Sequence, residues 1–152
     1  MNKYDRDSWE ERWAQALRAH GDRVAQRPPN AHLTAEIGGL RPGRALDAGC
    51  GHGSDTLWLA ARGWRVTAVD FAALALTYAR STADAMGPGI AERIDWVEAD
   101  LASWMPQRDE YDLVVSLLST WPGRWRIWCS GWRPGSRPAG RCSSSAIARS
   151  AR

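Results

Sequence analysis

No run of about 18 apolar residues occurs in this 152-residue chain, which argues against a membrane-spanning helix. The first residues, Met1 to Ser8, are charged and contain no apolar stretch, so no secretory leader is expected. Cysteine is scarce. Cys50, Cys129 and Cys142 have no paired spacing, which argues against a disulfide framework or a zinc site, and no metal is expected. These absences predict a cytoplasmic protein with free thiols. Acidic residues are missing from the end of the chain: Ser119 to Arg152 holds seven arginines and no acid. Of the 20 basic residues, 13 therefore face all 17 acids in residues 1–118, a formal charge of −4. The overall +3 is thus a property of one segment, and neither nucleic acid nor a membrane is expected as a partner.

The length suits one domain, and the 44% hydrophobic fraction suffices for a core. Residues 1–40 read as an N-terminal helical cap, 41–118 as the core and 119–152 as an irregular basic tail. Trp9, Trp13, Ala16 and Leu17 fall on one face of a helix expected from Asp7 to about Arg18. Asp7 with Glu10 resembles a capping box. Asn30 is expected to cap a second helix running to Ile37. Strands are then expected at Arg44–Asp47, Arg65–Asp70, Ile94–Asp100 and Tyr111–Leu118, with helices at Ser54–Arg62 and Ala72–Met86 between them. Strands alternating with helices predict an α/β fold, a doubly wound and mainly parallel Rossmann-like sheet, incomplete at four strands. Ligands of such sheets sit at the carboxyl ends of the strands, which here are rich in glycine and acid: Asp47 to Gly53, Asp70 and Asp100.

Asp47-Ala-Gly-Cys-Gly-His-Gly53 is a glycine-rich turn between a strand and a helix. Gly49 and Gly51 allow positive φ and let a ligand approach the backbone. A dinucleotide fingerprint counted from Gly49 and Gly51 would need a third glycine where Ser54 stands. Asp47 beside the loop disfavours a pyrophosphate and favours a cation. Asp70 follows Gly51 by nineteen residues and can accept from two ribose hydroxyls. Asp100 can accept from an adenine amino group, and the Leu101 N–H can donate to the ring. A nucleotide- or NAD-binding module is the alternative, as is a non-catalytic remnant. Cys50 reads as a small packed residue with no base beside it, His52 as a solvent-facing loop residue, and Trp9 and Trp13 as core.

Four motifs in order resemble the class I S-adenosylmethionine (SAM) dependent methyltransferases. Leu46 to Gly53 is similar to their first motif, Val69-Asp70 to the ribose-binding acid, Glu98-Ala-Asp100-Leu101 to the adenine segment and Tyr111 to Val115 to the fourth strand. The resemblance covers roughly residues 30–118. The N-terminal tryptophan helix and Pro29-Asn30 are similar, more weakly, to small bacterial methyltransferases of the tellurite-resistance and thiopurine type. The resemblance implies SAM as cofactor and a small molecule as methyl acceptor. It implies that Asp47, Gly49, Cys50, Gly51 and Gly53 lie around the methionyl part, with Ser116 near it. Asp70 would hold the ribose, Phe71 would lie against the adenine, and Asp100 and Leu101 would bind it. No catalytic residue is assigned. No Asn-Pro-Pro-Tyr-like segment follows the fourth strand, so an amino-directed nucleic-acid methylase is not supported.

The tail departs from that pattern: from Ser119 it is Ser, Arg, Gly, Pro and Trp, without the expected helix, glycine turn and buried strand. Tryptophan has a single codon. Read one base out of register, Trp121, Trp125, Trp128 and Trp132 each give a codon ending in TG, hence Leu, Met or Val. Cys142 to Ser145 becomes four apolar residues if the serine codons are of the TC type, and Pro138 to Gly140 permits Pro-Gly-Gly. The composition break predicts that residues from about Ser119 are translated out of frame, with weak or no catalysis as the consequence. It also predicts an uncovered apolar edge on the fourth strand.

Overall fold

The computed structural model describes residues 5–101, 103–104, 110–116 and 126–129. Its first helix, α1 (Arg6–Ala25), is capped two residues before the expected Asp7: Asp5 is the N-cap and accepts from the Ser8 N–H at 2.9 Å. Glu10 is engaged elsewhere, as shown below. His20, at φ −149° and ψ 37°, breaks the helix into two pieces. The short α2 (Ala31–Ile37) is capped as expected by Asn30, whose side chain accepts from the His32 N–H. Leu33 and Ile37, one turn apart, are buried.

Four parallel strands follow: β1 (Arg44–Ala48), β2 (Arg65–Asp70), β3 (Ile94–Glu98) and β4 (Leu113–Ser116). Helices α3 (Ser54–Ala61) and α4 (Ala73–Met86) make the crossovers, and a single turn, α5 (Pro88–Ala91), not expected from the sequence, begins at the proline that ends α4. Proline suits a first helical turn because its missing N–H would have no partner there.

The strand order is β3-β2-β1-β4-β5, where β5 (Arg126–Cys129) runs antiparallel to β4. The sheet thus has one strand more than the four expected. It comes from the tail, and it pairs the outer edge of β4 that was expected to stand open. The remainder of the tail, 119–125 and 130–152, lies outside the described residues, as do the last two positions of the expected fourth strand.

Alternation along the strands separates two clusters. Ala45, Val66, Ala68, Leu113 and Val115 pack with Leu33, Leu57, Leu59 and Leu76 from the helices. Leu46, Ala48 and Val69 pack on the other side with Tyr111, Leu101 and Trp104. The chain winds from β1 outward to β3, then returns to the opposite side of β1 as β4. That reversal opens a crevice at the carboxyl end of β1, where the glycine loop lies.

Candidate cofactor site

The loop after β1 turns under constraint from its glycines. Gly49, Gly51 and Gly53 have φ of 81°, 54° and 82°, a region that L side chains enter only with strain. The Gly49 and Cys50 N–H groups both donate to the Val69 carbonyl, at 2.7 and 3.1 Å, tying the loop to β2. The three glycines differ in what surrounds them. A Cβ on Gly53 would stand 3.0 Å from Ala79 Cβ and 3.2 Å from Trp96 Cη2, so Gly53 lets α3 pack closely on α4 and β3. A Cβ on Gly51 would meet the ring of Trp13, 2.8 Å from Cζ2.

Asp70 ends β2 beside this loop. Its Oδ2 accepts from the Gly51 N–H at 2.8 Å and its Oδ1 from the Ala72 N–H at 2.9 Å. The side chain is only 8% exposed. Burial raises its pKa above 3.8, opposed by hydrogen bonds from the Ala72, Gly51 and Phe71 N–H groups. Asp47 lies deeper, at 2% exposure, and its Oδ2 accepts from the Thr56 hydroxyl at 2.6 Å. Burial and then the charge of Asp55 push its pKa up to about 7, against the lowering effect of Thr56. Of the two acids, Asp70 is the one bonded to the loop backbone, through the Gly51 N–H, while Asp47 braces β1 against α3 through Thr56.

The remaining predicted positions divide. Cys50 points into the first core cluster, and burial followed by the Asp47 charge raises its thiol well above the usual range, so it remains a neutral thiol. Phe71 is half-buried next to Asp70. Asp100 is exposed, and its carbonyl accepts from the Ser103 and Trp104 N–H groups. Leu101 packs on the second cluster. Ser116 ends β4 in register with Arg126.

Two readings change. The His52 Nε2 is buried without a hydrogen-bond partner among the described residues, instead of facing solvent, and burial and then Arg27 lower its pKa to about 4. Trp9 and Trp13 are half-buried and do not belong to either core cluster, and Trp13 lies on the loop with its ring centre 5.5 Å from that of His52. Glu10, Trp13, Thr56 and Asp55 are contributors that sequence reasoning missed. Asp55 Oδ1 accepts from the Asn30 N–H at 2.7 Å and so ties α2 to α3. Only Thr56 and Asp55 had a local signal, namely their place in the first turn of the helix that follows the loop.

The sequence pattern of the methyltransferase domain family matches residues 45–138. The matched stretch contains the glycine loop, Asp70 and strands β2 to β5, and the chain belongs to this family. The match runs past residue 118, where the resemblance was expected to stop, and spans β5. Trans-aconitate 2-methyltransferase of Streptomyces avermitilis is 38% identical, over 84% of this chain and 48% of that protein. Ribosomal RNA small subunit methyltransferase C of Alcanivorax borkumensis is 40% identical, over 50% of this chain and 22% of that protein. The chain thus spans about half the length of the first and about a fifth of the second. A SAM-dependent methyltransferase from Geobacter sulfurreducens, solved with S-adenosyl-L-homocysteine, is 29% identical with a TM-score of 0.50, covering 62% of this chain and 39% of that one. No described helix is long and apolar enough to cross a membrane.

Proposed function

We propose that the crevice at the carboxyl ends of β1 and β2 binds SAM and that the methyl group passes to a small-molecule acceptor. The observation that carries the reading is the Asp70 carboxylate, set by the Gly51 and Ala72 N–H groups beside a loop with no side chain at Gly49 and Gly51. Each Asp70 oxygen keeps a lone pair for one hydroxyl of a vicinal diol. Gly49 and Gly51 carry no side chain that would hold a ligand off the loop backbone, and Asp100 and Leu101 stand at the next strand end to receive the base. Bound there, SAM supplies an electrophilic methyl group on a sulfonium. The chain's own part is positioning and a negative local field from Asp70. His52, neutral over most of the physiological range, is held with Trp13 at the same loop and is not assigned as a base.

The small-molecule class is supported by the name of the trans-aconitate relative and by the −4 charge of residues 1–118, which is unsuited to a phosphate backbone. The ribosomal RNA relative makes a nucleic-acid acceptor the second reading. In the family the strands after the fourth help to form the acceptor pocket; here the described continuation is the antiparallel β5, and we infer low turnover for this chain.

Calorimetric titration of SAM into the full chain, beside NAD and beside Asp70→Ala, tests the site. The expected result is SAM binding that Asp70→Ala weakens by about 1.5–3 kcal/mol, the loss for hydrogen bonds to a charged group. Binding of NAD in place of SAM, or no effect of Asp70→Ala, would overturn the assignment.

A further inference from the structure

The first part of α1 lies across the cofactor crevice. Arg6 Nη1 meets Glu98 Oε1 at 2.9 Å at the end of β3. Glu10 then reaches α4, where its two oxygens accept from the Ala73 and Leu74 N–H groups at 2.5 and 3.2 Å. Helix α4 needs this, because its own N-cap, Ala72, offers no side-chain acceptor. One turn further, Trp13 rests on Gly51, and the three atoms nearest to a Cβ built there all belong to its ring. Asp70 lies below these contacts, nearly closed off from solvent.

The same helix has a break in the right place. His20 leaves helical geometry, and the next carbonyl, that of Gly21, accepts from the Tyr78 hydroxyl at 2.5 Å. Beyond it Val24 is the one buried residue of α1. Val24 thus ties the end of α1 to the core, whereas residues 6–19 contain no buried residue: Trp9 and Trp13 are half-buried, and Arg6 and Glu10 make polar contacts. The Arg6–Glu98 pair is about half exposed on both sides and holds weakly.

We propose that Arg6–Ala19 is a gate over the cofactor crevice, with Trp13 as the plug and His20–Gly21 as the hinge. Resting on the SAM reading above, the inference is that cofactor and Trp13 compete for one face of Gly51. A ligand that needs this face shifts the population toward the lifted helix, and its apparent affinity falls by the fraction of molecules that are open.

The test titrates SAM into the full wild-type chain, Trp13→Ala, Glu10→Gln and Asp70→Ala, and follows amide hydrogen exchange across residues 6–19. Trp13→Ala and Glu10→Gln should bind about threefold tighter or better, the factor expected if about two thirds of the molecules are closed. Saturating SAM should speed exchange in residues 6–19 of the wild type, a readout that stands even if a variant fails to fold. Weaker binding by both variants, or slower exchange with SAM, would make Trp13 a wall of the filled site and overturn the gate. Folded wild type and variants that bind no SAM would overturn the cofactor reading and the gate with it. SAM binding that only Asp70→Ala disturbs, with unchanged exchange, would overturn the gate alone.

Discussion

Asp47→Asn probes the acid on which the glycine loop is built. In the folded protein, burial and the Asp55 charge hold the Asp47 pKa at about 7, whereas the unfolded chain returns it to 3.8. Between those values the folded state keeps a proton that the unfolded state releases. Stability from this group is therefore fully present below pH 3.8 and falls as pH rises, until it levels off above about 7. A span of about three pH units at about 1.4 kcal/mol each amounts to about 4 kcal/mol. Asparagine keeps the shape, can still accept from the Thr56 hydroxyl and cannot ionise. His52 acts with the opposite sign: its pKa falls from 6.5 to about 4 on folding, so stability is lost as pH drops through that interval. That contribution is common to both proteins and cancels in the difference. Urea unfolding at pH 4 to 8 and constant ionic strength should show the variant gaining on the wild type by about 4 kcal/mol between pH 4 and 7, with no further change above. A flat difference, or a gain confined to acid, would mean that Asp47 is ionised in the fold and would refute this account.

Two further outcomes are expected. Gly53→Ala should destabilise by about 1–3 kcal/mol in thermal or urea unfolding, because the residue is held at φ 82° and its Cβ would press on Ala79 and Trp96. Sequencing the gene should show TC-type serine codons at 143–145 if the tail is read out of frame, whereas AG-type codons there would end that proposal.

The parallel strands, the two crossover helices and the left-handed loop were legible because each has a local cause. Asn30 caps α2 from the adjacent position, proline and glycine stop α4, and the apolar run from Leu113 can be satisfied only inside a sheet. The loop glycines sit where φ is positive, and Asp70 ends its strand as expected. The fifth strand was missed because Arg126–Cys129 sits in an Arg-rich tail with no strand alternation, and its pairing is made by the open edge of β4. Glu10 was misread because three-residue spacing to Asp7 suggests a local cap, while its actual partners are 63 and 64 residues away.

The sequence by itself determined the fold class, the crevice and the acid that ends β2, since strand period, turn chemistry and strand-end residues act over a few neighbours. Only the tertiary structure decided what covers that crevice. Trp13 on Gly51, Glu10 on α4 and the buried His52 Nε2, without a partner among the described residues, arise where α1 folds back over the loop. The buried state of Asp47 was also decided there, since a carboxyl group moves from 3.8 to about 7 only once neighbouring elements have removed its water.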